Sequence, residues 1–202
     1  MKLQLLEVAV SILAACLLMV LHEFPKAFLY TLTTSLEGKK QSWKRVFYLH
    51  NYIDPIGVIL SVVSYAGFSK PYMYRIQSAK KNLLLSIAGF FSLASIFLFS
   101  VWNLKYSCQM SELQITGRGI KEIVTQLFWV YMAVLSASMF FVNLFPVSVF
   151  DMGLFIAGVS ARHYLGIIKN DIWIKVVLLF SIAVGVVRFF SFGLVCVLLE
   201  VS

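Results

Sequence analysis

His22-Glu23-Phe24-Pro25-Lys26 closes an apolar run that begins near Leu3. A histidine, a glutamate and a lysine thus stand at membrane depth, where charge is costly and has to be met by partners from other segments. On a helix His22 and Lys26, four apart, share one face, with Glu23 one step round. The run predicts a spanning helix, and its polar end predicts that other segments wall it in. Pro25 points the same way: a proline within a spanning helix frees a backbone carbonyl, which neighbouring helices or cavity water must satisfy.

Outward from this stretch the chain keeps the same character. Its 202 residues are 60% hydrophobic and 13% charged, with a mean hydropathy of +0.89, against a charged fraction of about a quarter in soluble domains. This predicts an all-α polytopic membrane protein, with residues 1–202 as one integral membrane domain. Four apolar segments, at about 3–21, 83–102, 123–150 and 172–199, are long enough to span. A shorter segment, 56–68, is bracketed by Asp54-Pro55, Gly57 and Gly67 and predicts a re-entrant hairpin.

The net charge of +8 does not imply nucleic acid, because the cations flank apolar runs and follow the positive-inside rule. Lys39, Lys40, Lys44 and Arg45 mark the first loop as cytoplasmic, and Lys70, Arg75, Lys80 and Lys81 mark the next. The segment between them must therefore enter and return. Lys105, Arg118 and Lys121 are offset by Glu112 and Glu122, and that loop is placed outside. The 123–150 segment then returns inward and delivers Asp151 to the side of His22 and Glu23. Leu13-Ala14-Ala15-Cys16 has the look of a lipoprotein cleavage box, but the apolar run continues beyond it, so an uncleaved signal anchor is expected. Cys16, Cys108 and Cys196 are scattered and odd in number, which defines neither a disulfide framework nor a metal site.

Three constellations carry potential chemistry. In an HExxH helix two histidines bind Zn²⁺ and the glutamate activates bound water; here His22 and Glu23 are present and Lys26 takes the second ligand position. The plain structural alternative is a helix end snorkelling toward headgroups. The second constellation, Asn143-Leu144-Phe145-Pro146 through Asp151 and Gly153, offers a carboxylate ligand and an amide able to fix an extended substrate. It also reads as a helix exit, with Pro146 as terminator, Asp151 as N-cap and Gly153 in the turn. The third comprises Asp54-Pro55-Ile56-Gly57 and Gly67-Phe68-Ser69-Lys70-Pro71, which turn chemistry alone would explain. Lys175 and Arg188 in the last segment suggest, more distantly, a transporter-like path.

In this order the elements resemble the site-2 protease family of intramembrane zinc metalloproteases. That family has an HExxH helix, a DPxG segment, a GxxKP turn, an AGP-type helix and an NLxPxxxxDG segment. The chain matches with His22 and Glu23, Asp54-Pro55-Ile56-Gly57, Gly67 with Lys70-Pro71, Ala88-Gly89, and Asn143-Leu144 with Pro146 and Asp151. The resemblance covers roughly residues 17–158. It implies a site-2-protease-like helical core of about four transmembrane helices plus the hairpin, in a bacterial cytoplasmic membrane. It further implies a client membrane protein or transmembrane peptide as partner within the lipid bilayer, His22 and Asp151 as zinc ligands, and Glu23 as the catalytic base. Asn143, Asp54 and Gly57 would line the substrate groove. The chain departs from the pattern at Lys26, at Phe90 in place of proline, at Ser148-Val149, at Met152, and at Tyr52 where a histidine is expected.

Lysine ligates a metal only as the neutral amine, and losing its proton at pH 7 costs roughly 4–5 kcal/mol from an unperturbed pKa of about 10.4. Two readings follow. In the first, a pseudoprotease binds clients while the Lys26 ammonium takes the place of zinc, paired with Glu23 and Asp151. In the second, His50 or His163 restores the ligand set and Glu23 activates zinc-bound water. The first is expected, because affinity depends on ligand number and type.

Overall fold

The computed structural model describes residues 2–33, 39–71, 78–113 and 119–200. Among these the architecture is helical throughout: α1 (Lys2–Thr33), α2 (Lys39–Val46), a 3-10 turn (Leu49–Tyr52), α3 (Pro55–Ser64), α4 (Ala79–Leu113), α5 (Ile120–Asn143), α6 (Asp151–Val159), α7 (Ala161–Ala183) and α8 (Val186–Glu200). Among the described residues three helices are long and apolar enough to cross a bilayer, Gln4–Thr33, Ala79–Ser107 and Ile120–Asn143. The pair α7 and α8, bent by 57°, makes a fourth if it counts as one span. This is compatible with an integral multi-pass membrane protein. Arg75 and Arg118, used above to orient the loops, lie outside the described residues.

The centre is the packing of α1, α4 and α5. Ala14, Ala15, Leu18 and Met19 of α1 meet Leu93 of α4 and Met132, Leu135 and Met139 of α5, all buried. Lipid is as apolar as leucine, so close backbone approach through small residues, rather than escape from water, favours such contacts. A second seam joins Phe97 and Val101 of α4 to Ala133 and Ala137 of α5 and Val195 of α8. There the Ser138 hydroxyl donates to Ser191 Oγ across 2.8 Å, an interhelical bond worth about 0.6 kcal/mol.

Segment boundaries differ from expectation in three places. First, α1 does not stop near Leu21 but runs through Pro25 to Thr33; its polar face is met by partners from other elements, and Ala27-Phe28-Leu29-Tyr30 resumes the apolar pattern. Second, the 123–150 segment is not one helix. α5 ends at Asn143, residues 144–150 turn around Pro146, and α6 starts at Asp151. The N-cap of α6 is Phe150, not Asp151. Third, the helix that carries the last apolar segment begins earlier, at Ala161, and the segment breaks at Gly185, whose φ of +83° suits glycine because there is no Cβ to clash.

The 56–68 segment folds as a hairpin of one helix and one extended return. Asp54 caps α3, its Oδ1 accepting from the N–H groups of Ile56 and Gly57 at 2.9 and 3.0 Å, and Pro55 opens the helix. The return passes so near α3 that a Cβ on Gly57 would strike the Phe68 carbonyl, and one on Gly67 the Ser61 hydroxyl. The Lys70 N–H donates to the Tyr52 carbonyl at 3.0 Å, closing the hairpin at its base. Asp54 and Gly57, expected in a substrate groove, thus have a folding role in cap and close approach.

Candidate functional site

Helical periodicity puts His22, Glu23 and Lys26 on the side of α1 that faces α4, α6 and the hairpin, and all three are buried. The Lys26 ammonium is the hub. Its Nζ donates to Glu23 Oε1 at 2.7 Å and to Asp151 Oδ1 at 2.8 Å, and lies 3.0 Å from His22 Nε2. An ammonium has three donors on a tetrahedral nitrogen, and here each has a partner.

The tautomer of His22 follows from Ser92 on α4. The Ser92 hydroxyl donates to the Gly89 carbonyl at 2.8 Å, so toward His22 Nδ1, 3.2 Å away, its oxygen accepts. Nδ1 therefore carries the proton, and the Nε2 lone pair accepts from Lys26. Ser69, from the hairpin return, donates to Glu23 Oε1 at 2.8 Å. One glutamate oxygen is thus shared by the ammonium and a hydroxyl.

Two features deliver Asp151. The Asn143 side chain, donating from Nδ2 to the Met139 carbonyl at 2.9 Å, accepts the Asp151 N–H at Oδ1 at 3.5 Å, and so ties the end of α5 to the start of α6. Gly89 makes the approach of the carboxylate possible, since a Cβ there would collide with the Asp151 carboxyl. Gly89→Ala is expected to displace Asp151 from Lys26 and cost about 1–3 kcal/mol of stability, as overpacking of a filled core does. Denaturation midpoints of detergent-purified wild type and variant check it.

A catalytic zinc ion would need three protein ligands here. Asp151 Oδ2 takes no hydrogen bond and lies 3.3 Å from His22 Nε2. That is close to the separation of two ligands on a tetrahedral ion with bonds of about 2.0–2.1 Å. The third ligand is missing: a protonated amine stands among these atoms instead. Among the described residues no group of three or more His, Cys, Asp or Glu is arranged to hold a metal. His50 is exposed, its ring beside Tyr48 at 5.8 Å, and His163 is exposed at the start of α7, its N–H donating to Ser160 Oγ. Neither is among the contacts of His22. Tyr52, at the expected histidine position, is buried and donates to the Val46 carbonyl at 2.6 Å. The residues present do not fit zinc.

Comparison of the chain with protein-family models, curated proteins and solved structures returns no match. Of the residues singled out from sequence, His22, Glu23, Lys26, Asn143 and Asp151 converge, whereas His50 stands apart and Asp54 and Gly57 serve the hairpin. Ser69 and Ser92 were missed. The signal for Ser92 was its spacing, since small and polar residues, Ser86, Gly89, Ser92 and Ser95, recur every three residues in the apolar middle of α4. Lys175 and Arg188 do not face each other across a path: Lys175 pairs with Asp171 at 2.6 Å, and the Arg188 guanidinium lies over the Tyr65 and Phe192 rings at 4.8 and 5.5 Å.

Proposed function

We propose that this chain is a site-2-protease-like membrane protein that binds client transmembrane segments without cleaving them, its buried centre held by Lys26 in place of zinc. The observation that carries the reading is the saturated ammonium between His22, Glu23 and Asp151. A general base must be able to reach a water and take its proton. Glu23 Oε1 instead receives Lys26 and Ser69, and a bound ammonium does not generate a nucleophile at neutral pH as a metal does. The Lys26–Asp151 contact also anchors the residue at which the turn 144–150 enters α6.

Client binding draws support from the surface beside that turn. Two apolar cavities meet at Pro146: one of about 440 Å³ against Phe141, Phe145 and Phe190, and one of about 510 Å³ against Phe155, Ile156 and Ile174. The first opens between α5 and α8 and the second between α6 and α7, apolar surfaces against which a client helix would lie.

The test is a cleavage and capture assay with a membrane-embedded model substrate in reconstituted vesicles. Wild type and Glu23→Gln are expected to crosslink the substrate equally from a photoreactive side chain at Phe145, and neither releases product above background. Hydrolysis by wild type that Glu23→Gln abolishes would make the chain an active zinc metalloprotease, and the reading would fall.

A further inference from the structure

We infer that α2 and the turn after it form a docking surface for anionic phospholipid headgroups. The register of α2 against α1 is fixed by two ring contacts: Trp43 meets Phe28 edge-on at 5.4 Å, and Phe47 meets Phe24 at 6.1 Å. The two helices are therefore antiparallel over this stretch. Phe24 and Phe28 are one helical turn apart, about 6 Å along the axis, so Phe47 lies that much nearer the apolar body of α1 than Trp43 does.

Past this point the chain exposes three consecutive large side chains, Phe47 (62%), Tyr48 (54%) and Leu49 (46%). One turn further out, the exposed Lys44 and Arg45 follow. Lys70, also exposed, is brought to the same edge because its backbone N–H is bonded to Tyr52. Among the described residues none of these three cations forms an ion pair. Aromatic side chains inward and cations outward is the order of a bilayer interface, rings settling at headgroup level and cations reaching the phosphates. Charge selects the lipid: a zwitterionic headgroup offers no net attraction, whereas an anionic leaflet does. The apolar trio is also continuous with the spanning helix α1, which sets the patch at the bilayer surface rather than out in solution.

The experiment is native mass spectrometry of the full chain released from nanodiscs with equal phosphatidylcholine and phosphatidylglycerol. Wild type is expected to retain phosphatidylglycerol preferentially, on the order of fivefold for each of Lys44 and Arg45. Lys44→Gln with Arg45→Gln, both at exposed positions, should remove most of that preference, while Lys169→Gln on α7 leaves it. Equal retention of the two lipids by wild type overturns the proposal, as does an undiminished preference in the double variant. Displacement of the lipid by soluble poly-glutamate would assign the surface to an acidic protein and equally overturn it. None of these outcomes depends on whether the buried centre binds clients.

Discussion

Lys26→Ala lowers the unfolding free energy by about 3–5 kcal/mol, the range found when one partner of a buried ion pair is removed. The size follows from what is left behind. Glu23 and Asp151 are both buried and both lose the same cation, so two carboxylates face one another with no charge between them, and His22 Nε2 loses its donor. Ser69 still donates to Glu23, which offsets only a part. A thermal or denaturant midpoint in detergent, read by intrinsic fluorescence, measures the loss. If the variant does not accumulate, a neutral triple variant answers the question: Lys26→Met with Glu23→Gln and Asp151→Asn removes all three charges together, and well-packed neutral replacements of buried ions are often close to neutral in stability. The triple variant is therefore expected to be more stable than Lys26→Ala alone. A Lys26→Ala variant within about 1 kcal/mol of wild type would mean that the ammonium does not hold α1 to α6.

What could be read from sequence divides along a physical line. The spans around α1, α4 and α5 were legible because hydropathy averages a per-residue transfer energy over a window, and each of these helices contains an apolar window of spanning length. The shared face of His22 and Lys26 was legible because helical geometry is fixed by the backbone. That Asp151 comes to the same level followed from the order of charged loops. Boundaries were not legible, because they depend on whether a polar group finds a partner in space: α1 continues past His22 since Ser92, Asp151 and Ser69 meet its polar face, and none of those partners is visible in a window around residue 22. The same holds for Gly89, whose worth is the room it leaves for a carboxylate 62 positions away. His50 looked usable because its cationic loop was expected on the side where α1 ends, yet the loop is pinned by Tyr52 to α2, and its ring turns to Tyr48 instead.

Lys26→His converts the centre into a zinc site. The imidazole supplies the third protein ligand beside His22 and Asp151, leaving one position for water, which is the ligand count of catalytic zinc centres. The two remaining ligands need little adjustment: Nε2 and Oδ2 already stand 3.3 Å apart, Oδ2 has no hydrogen bond to give up, and the Nδ1 proton directed at Ser92 leaves Nε2 as the metal-facing nitrogen, the outer-shell arrangement typical of zinc-bound histidine. Glu23 is freed from the ammonium in the same step. The expected result is about one zinc per chain by elemental analysis of detergent-purified variant, and an unfolding free energy that rises with free zinc, by about 2.7 kcal/mol at a hundredfold excess over Kd. Adding Asp151→Asn should abolish both effects, which separates this site from adventitious binding at exposed His50 or His163. Wild type is expected to show neither. Stoichiometric zinc in wild type, lost on Asp151→Asn, would show that the amine at position 26 yields to the metal, and the lock inferred from its three hydrogen bonds would have to be abandoned.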